Sequence, residues 1–202
     1  MCMFIFSVCK KQPLFFKKQV AFTIHYSAFT YFCHMKIFLI GFMGSGKTHW
    51  GKLWADKHEI PFFDLDEEIE KAEGRSVVEI FEKNGEKYFR FQESIALRSM
   101  AAYDNCIIAC GGGAACCEEN IEWMNENGLT IYLHASPVEL LENIMKEKDK
   151  RPLVKHVNEA ELLFFIQKKL SERMPFYEQA KIRLRVEDLK EDSFNKIVSQ
   201  QL

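Results

Sequence analysis

From Met35 onward the chain alternates between short apolar runs rich in β-formers and longer stretches in which apolar residues recur at helical spacing. Residues 36–40, 60–63, 106–110, 130–134 and 182–186 read as strands with helices between them. Strands separated by helices predict a parallel sheet covered on both faces, an α/β fold. Ser136, with Pro137 at the first helical position and Glu139 three residues on, predicts one helix start, and Asn158 with Glu161 predicts another. Gly128 reads as the stop of the helix before the fourth strand. Residues 146–155 are densely charged and carry Arg151-Pro152, so they read as a mobile loop between two helices and not as a domain linker.

The pattern before Met35 is of another kind. Residues 1–34 are rich in Phe and contain Lys10, Lys11, Lys17 and Lys18 but no acid. Those lysines and His25 break every apolar stretch before it reaches the ~20 residues of a membrane span. The apolar run comes before the lysines and no small-residue cleavage site follows, which argues against a signal peptide. The missing acids favour a transit peptide and the missing arginines oppose it. We read 1–34 as a disordered leader or a misannotated start, with Met35 as the working start and 35–202 as one domain. A membrane tether built from the Phe-rich leader is the alternative.

Composition narrows the partners. At 202 residues and 48% hydrophobic, the chain can bury a full core in one domain. A net charge of -2 and a pI near 6.3 give no general attraction for nucleic acid or anionic membranes, so any anion must be met by a local site. Cys106, Cys110, Cys116 and Cys117 form no CxxC pair and have no histidine at zinc spacing. They read as reduced thiols of a cytoplasmic protein.

Gly41-Phe42-Met43-Gly44-Ser45-Gly46-Lys47-Thr48 matches G-x-x-x-x-G-K-[ST] and lies between the first strand and a helix over 47–58, where that motif must lie. Its glycines let backbone N–H groups approach phosphate oxygens, and the helix N-terminus adds partial positive charge. Lys47 then reaches the β- and γ-phosphates and Thr48 offers a hydroxyl to Mg²⁺. Gly44, Ser45 and Gly46 belong to the cradle; His49 contributes its backbone N–H near the α-phosphate, and Trp50 packs on the core.

At the end of the second strand Asp64 and Asp66 project to the same side, toward the cleft at the carboxyl edge of the sheet. One can hold water on a metal while the other accepts the proton of an attacking hydroxyl. Capping a helix is the competing role for Asp66. Downstream come Gly85-Glu86-Lys87-Tyr88-Phe89-Arg90-Phe91-Gln92-Glu93, Gly111-Gly112-Gly113, Arg151-Pro152-Leu153 and Arg173-Met174-Pro175-Phe176-Tyr177. With the phosphate loop, this ordered set resembles shikimate kinase over nearly all of the chain from Met35 to about Val186.

The resemblance implies a three-layer P-loop fold of nucleoside-monophosphate-kinase type, strand order 2-3-1-4-5, and transfer of the γ-phosphate of ATP to the 3-hydroxyl of shikimate. It implies that Asp66, Arg90, Gly112 and Arg173 contact shikimate, that Glu93 orients Arg90, that Asp64 stands in the outer shell of Mg²⁺ and that Arg151 closes over ATP from a lid at about 146–157. Asp66, Lys47 and Arg151 are the expected catalytic groups, Thr48 and Asp64 the metal groups, and Gly111 and Gly113 part of the substrate wall. A planar guanidinium pair suits the carboxylate of such a substrate. Pro175 is expected to interrupt the helix begun at Asn158 and so aim Arg173 into the cleft.

The stretch Glu142-Asn143-Ile144-Met145-Lys146 lacks the arginine that stacks on adenine in the family, and Val186-Glu187-Asp188-Leu189 lacks its Asp-Thr. Cys110 replaces a frequent hydroxyl residue, which removes a hydrogen bond near Mg²⁺. The chain is expected to be a monomer that binds no nucleic acid and no membrane. The alternatives are a related kinase for gluconate or a nucleoside monophosphate, or a nucleotide-binding regulator without catalysis.

Overall fold

The computed structural model describes residues 35–117, 119–146 and 158–199. Five strands form one sheet: β1 Lys36–Ile40, β2 Phe62–Asp64, β3 Cys106–Ala109, β4 Leu129–His134 and β5 Ile182–Arg185. All pairings are parallel, in the order β2-β3-β1-β4-β5. Among the described residues seven helices connect or cover them: α1 Lys47–His58, α2 Leu65–Glu73, α3 Val77–Ser99, α4 Asn120–Asn127, α5 Pro137–Lys146, α6 Glu159–Tyr177 and α7 Ser193–Ser199. The α/β class, the strand order and the two helical layers agree with the expectation.

The side-chain period of two divides each central strand between two cores. Phe38 and Ile40 of β1 face a layer with Leu97 of α3, Met124 of α4, Ile144 of α5 and Ile166 of α6. Ile37 and Leu39 face the other layer, with Trp54 of α1 and Phe194 of α7, whose rings stack at 5.3 Å. β1 is buried along its whole length, and this explains its continuous apolar sequence. A third small core of Ile69, Ile80 and Phe89 holds α2 against α3.

Sequence and structure part at a few boundaries. β2 begins at Phe62 and not at Ile60, because Pro61 has no N–H for the ladder; its carbonyl instead accepts from Ile107 N at 2.9 Å. Asp64 closes the strand opposite Ala109 and also caps α2, its side chain accepting from Asp66 N at 3.1 Å. The cap is therefore Asp64, and Asp66 is left for other work. Pro175 does not end α6, which continues to Tyr177; with only two helical residues beyond it, the lost backbone bond costs little. Gly128 does stop α4, though with extended backbone: a Cβ there would lie 2.3 Å from the Lys36 carbonyl, so the glycine serves close approach to β1. Gly85, at φ 79 and ψ 171, breaks α3 into two segments, a conformation open to glycine alone. The predicted starts at Ser136 and Asn158 stand, each with its side chain accepting from the N–H three residues on, at 3.3 and 2.8 Å. Residues 1–34, most of the predicted lid, and Arg151 lie outside the described residues.

Candidate active site

A cleft of about 790 Å³ opens at the carboxyl edge of β1, β2 and β3, between the loop after β1 and helices α2 and α3. Gly44, Ser45, Gly46, Lys47, Thr48, His49, Asp64, Asp66, Arg90, Glu93, Gly111, Gly112, Gly113 and Arg173 all line it. Every predicted site residue among the described residues is therefore brought to one place.

The loop from Gly41 to Gly46 is held by glycines at φ 143, 81 and 82, positions that side chains rarely adopt. Gly46 stands before α1 in left-handed geometry with no side-chain cap, so the first N–H groups of α1 are left for a ligand in the cleft. α2, α3 and α6, by contrast, are capped by Asp64, Ser76 and Asn158. Lys47 is buried and its Nζ donates to the Gly41 and Phe42 carbonyls at 3.0 and 2.9 Å, folding the ammonium over the loop. Thr48 Oγ1 donates to Asp64 Oδ2 at 2.7 Å. His49 is exposed beside the half-buried Trp50, 5.3 Å between ring centroids.

The opposite wall is built from side chains. Arg90 on α3 donates from Nη1 to Glu93 Oε2 at 2.6 Å and from Nη2 to Glu86 Oε1 at 3.0 Å. Burial works against its charge, but Glu93 and Glu86 hold Arg90 above its ordinary value. Arg173 on α6 donates to the Gly112 carbonyl at 3.1 Å, and the buried Tyr177 donates to the same oxygen. The two guanidinium groups thus arrive from different helices and meet at the glycine run.

Each glycine of that run is required by a different neighbour. A Cβ on Gly111 would lie 1.9 Å from Glu93 Oε1, one on Gly112 2.9 Å from Met43 N, and one on Gly113 2.5 Å from Arg90 Cζ. Asp66 Oδ1 and Glu93 Oε1 are enclosed without a hydrogen-bond partner. Buried acceptors of this kind are rare in a finished protein core and mark a place for a ligand donor. Burial, then the charges of Glu93 and Asp64, push the Asp66 carboxyl up to about 7, against the pull of Lys47 and Arg90.

Several supports were not found in the sequence. Asn143 on α5 donates to the Gly44 carbonyl at 3.0 Å, and it lines the cleft with Lys146 and Val186. The fully buried Asn120 donates to Ser94 Oγ at 3.1 Å and to the Ala114 carbonyl at 2.9 Å, tying the turn after the glycine run to α3. Val77, Phe81 and Phe89 add an apolar patch, the two phenyl rings 4.7 Å apart. Cys110 borders the cleft, but its thiol packs against Met124 Sδ at 3.7 Å and is pushed well up by burial.

A mononucleotide-type parallel sheet, a glycine loop feeding an uncapped helix, and a facing wall with two arginines and the enclosed carboxylates of Asp66 and Glu93 define a P-loop kinase for a small anionic acceptor. The family model for shikimate kinase matches residues 43–201. The chain belongs to the shikimate kinase family. It is 39% identical to the shikimate kinase of Bacteroides thetaiotaomicron over 157 residues, which cover 78% of this chain and 90% of that one. It is 38% identical to the enzyme of Aquifex aeolicus over 165 residues, 81% of this chain and 94% of that one. Among solved structures, the shikimate kinase of Acinetobacter baumannii in complex with shikimate superposes with a TM-score of 0.76 at 30% identity, covering 87% of this chain and 99% of that one. The crystal structure from Bacteroides thetaiotaomicron gives 0.74 at 37% identity, covering 83% and 96%.

Proposed function

We propose that the chain transfers the γ-phosphate of ATP to the 3-hydroxyl of shikimate, giving shikimate 3-phosphate and ADP. The observation that carries this reading is the enclosed, unpartnered Asp66 Oδ1, seated against the glycine run between the phosphate loop and the Arg90–Arg173 pair. An acceptor with a carboxylate at one end and ring hydroxyls at the other fits that order of groups. Arg90 and Arg173 grip the carboxylate, and Asp66 receives a hydroxyl at the far end.

In the transfer, the hydroxyl oxygen forms a bond to the γ-phosphorus as the bond to the bridging oxygen of ADP breaks, and the hydroxyl proton passes to Asp66. Glu93 holds Arg90 in its orientation and leaves Asp66 as the facing acceptor. The loop N–H groups and the end of α1 hold the phosphates, and Lys47 leaves the loop carbonyls for a β- or γ-phosphate oxygen. The paired Thr48 hydroxyl and Asp64 carboxylate form an all-oxygen donor set of the kind that suits Mg²⁺, Asp64 acting through water. When bound with ATP, the ion neutralises charge on the transferring group. Arg151, outside the described residues, is the further positive charge that the family resemblance implies for ATP.

The reading extends to a working domain of 35–202, active as a monomer. Among the described residues no helix is long and apolar enough to cross a membrane.

A coupled ADP-release assay across shikimate, gluconate and nucleoside monophosphates tests the assignment. Turnover with shikimate alone is expected. Turnover confined to gluconate or to a nucleoside monophosphate would overturn it, as would ADP release that ignores the acceptor added.

A further inference from the structure

The phosphate loop is held from within, by the Ser45 N–H and the Lys47 ammonium, and from outside by a helix. At its crest lies Gly44, φ +81, whose peptide joins it to Ser45. A trans peptide points its C=O and N–H to opposite sides. With the Gly44 oxygen turned outward, the Ser45 N–H turns into the loop and donates to the Phe42 carbonyl at 3.2 Å. If this peptide flipped, the negative end of its dipole would point where phosphate oxygens must sit. Glycine at 44 leaves the torsion before that peptide only lightly restrained, so the loop sequence by itself does not forbid the flip.

Within the loop the peptide is held by the Ser45 N–H bond to the Phe42 carbonyl; a second restraint, on its oxygen, comes from 99 residues away. Asn143, half-buried on α5, donates its amide to the outward Gly44 oxygen at 3.0 Å. Its own Oδ1 accepts from Lys146 Nζ at 3.2 Å. A lysine can only donate and a carbonyl can only accept, so the two partners fix which way the amide faces. The fit is close: a Cβ on Gly44 would lie 3.1 Å from Ile144 Cγ1 and 3.4 Å from the Leu140 carbonyl. The crest of the loop therefore rests on one turn of α5.

Resting on the phosphate-binding role proposed for the loop, we infer that Asn143 is a positioning residue, a latch that holds the 44–45 peptide in the orientation that receives phosphate. The latch carries no contact to the acceptor. Its loss weakens ligands through their phosphates, leaves shikimate untouched, and spares the fold, since alanine is a good helix former at this position.

Isothermal titration of the full chain with ADP, with pyrophosphate and with shikimate, each in Mg²⁺ buffer, reads this directly. Asn143→Ala is expected to weaken ADP and pyrophosphate alike by about five- to tenfold, the worth of one hydrogen bond that orders a site. Shikimate affinity stays within about twofold and the melting temperature within about 2 °C, as for a helix-surface change. Asn143→Asp, equal in size but without the amide donor, loses at least as much, and serves if the alanine chain folds poorly. Unchanged ADP and pyrophosphate affinity, or a loss for ADP alone, would overturn the inference; the second pattern belongs to a contact with the base. Equal loss for all three ligands with a fallen melting temperature would also overturn it, in favour of a structural role. A wild-type chain that binds neither ADP nor pyrophosphate would overturn the phosphate reading itself and the latch with it.

Discussion

The two walls of the cleft are made by different means. The phosphate wall comes from a single run of eight residues, 41–48, in which we propose that backbone N–H groups and one lysine do the binding. The acceptor wall draws Asp66 from the first turn of α2, Arg90 and Glu93 from α3, three glycines from the loop after β3 and Arg173 from α6. Backbone needs only a local conformation to bind an anion, so its recipe is local. Side chains need the whole sheet to bring them together, and where they meet there are buried charge and enclosed oxygens: Glu93 is 0% exposed, whereas Thr48 and His49 stand in the open. A generic ligand can be met by a motif; a specific one is met by topology.

The largest effect should come from the one side chain of the phosphate wall. Lys47→Ala is expected to lower kcat by ~10³-fold or more, since it withdraws a fixed positive charge from the transferring group. Circular dichroism should be unchanged. A rate near wild type would place the chemistry elsewhere.

Asp66→Asn separates the walls more finely. Geometry is kept and the proton acceptor is lost, so kcat should fall by about 10²–10⁴-fold with ADP affinity nearly unchanged. Its folded-state value of about 7 lies above the ordinary 3.8, so the protonated form is the one the fold favours. That advantage is complete below about pH 4 and is gone above about 7, where the ionised group burdens the fold. The asparagine chain should therefore melt a few degrees higher than wild type at pH 8 and lose this lead toward pH 4. For the same reason wild-type kcat/KM should decline as pH falls through about 7.

Gly111→Ala tests packing where no charge changes. The added carbon meets the buried Glu93 carboxylate, which can yield only by dragging Arg90 with it. KM for shikimate should rise by about tenfold or more, with KM for ATP within about twofold. Smallest of all, a chain begun at Met35 should keep wild-type kcat and melt within about 1–2 °C of the full chain, because the described residues from 35 onward already supply a five-stranded sheet with a core on each face. A lower melting point would give residues 1–34 a place on the core.

The same contrast explains what could be read from the sequence. Helix starts with caps, the phosphate loop and the alternation of strands were legible because each is written within a few residues. The acceptor residues were legible through the joint pattern of their blocks; singly, Arg90 or Arg173 resembles any surface arginine. Residues 60–63 misled because apolar character was counted where ladder donors matter, and Pro61 has none. Pro175 misled in the other direction, a helix breaker too near the end to break anything. The bend at Gly85 and the supports Asn120 and Asn143 had no local signature. Their partners lie elsewhere in the chain, so only the folded topology could reveal them.

The account rests on the two walls being separable, and paired titrations of the Arg90→Lys and Arg173→Lys chains test that most directly. Lysine keeps the charge but loses the planar two-point grip on a carboxylate. Shikimate affinity should fall by about 10-fold or more in each chain, while ADP affinity stays within about twofold of wild type. Unchanged shikimate affinity in both chains, or an equal loss of ADP and shikimate, would contradict the division of the cleft into a backbone site for phosphate and a side-chain site for the acceptor.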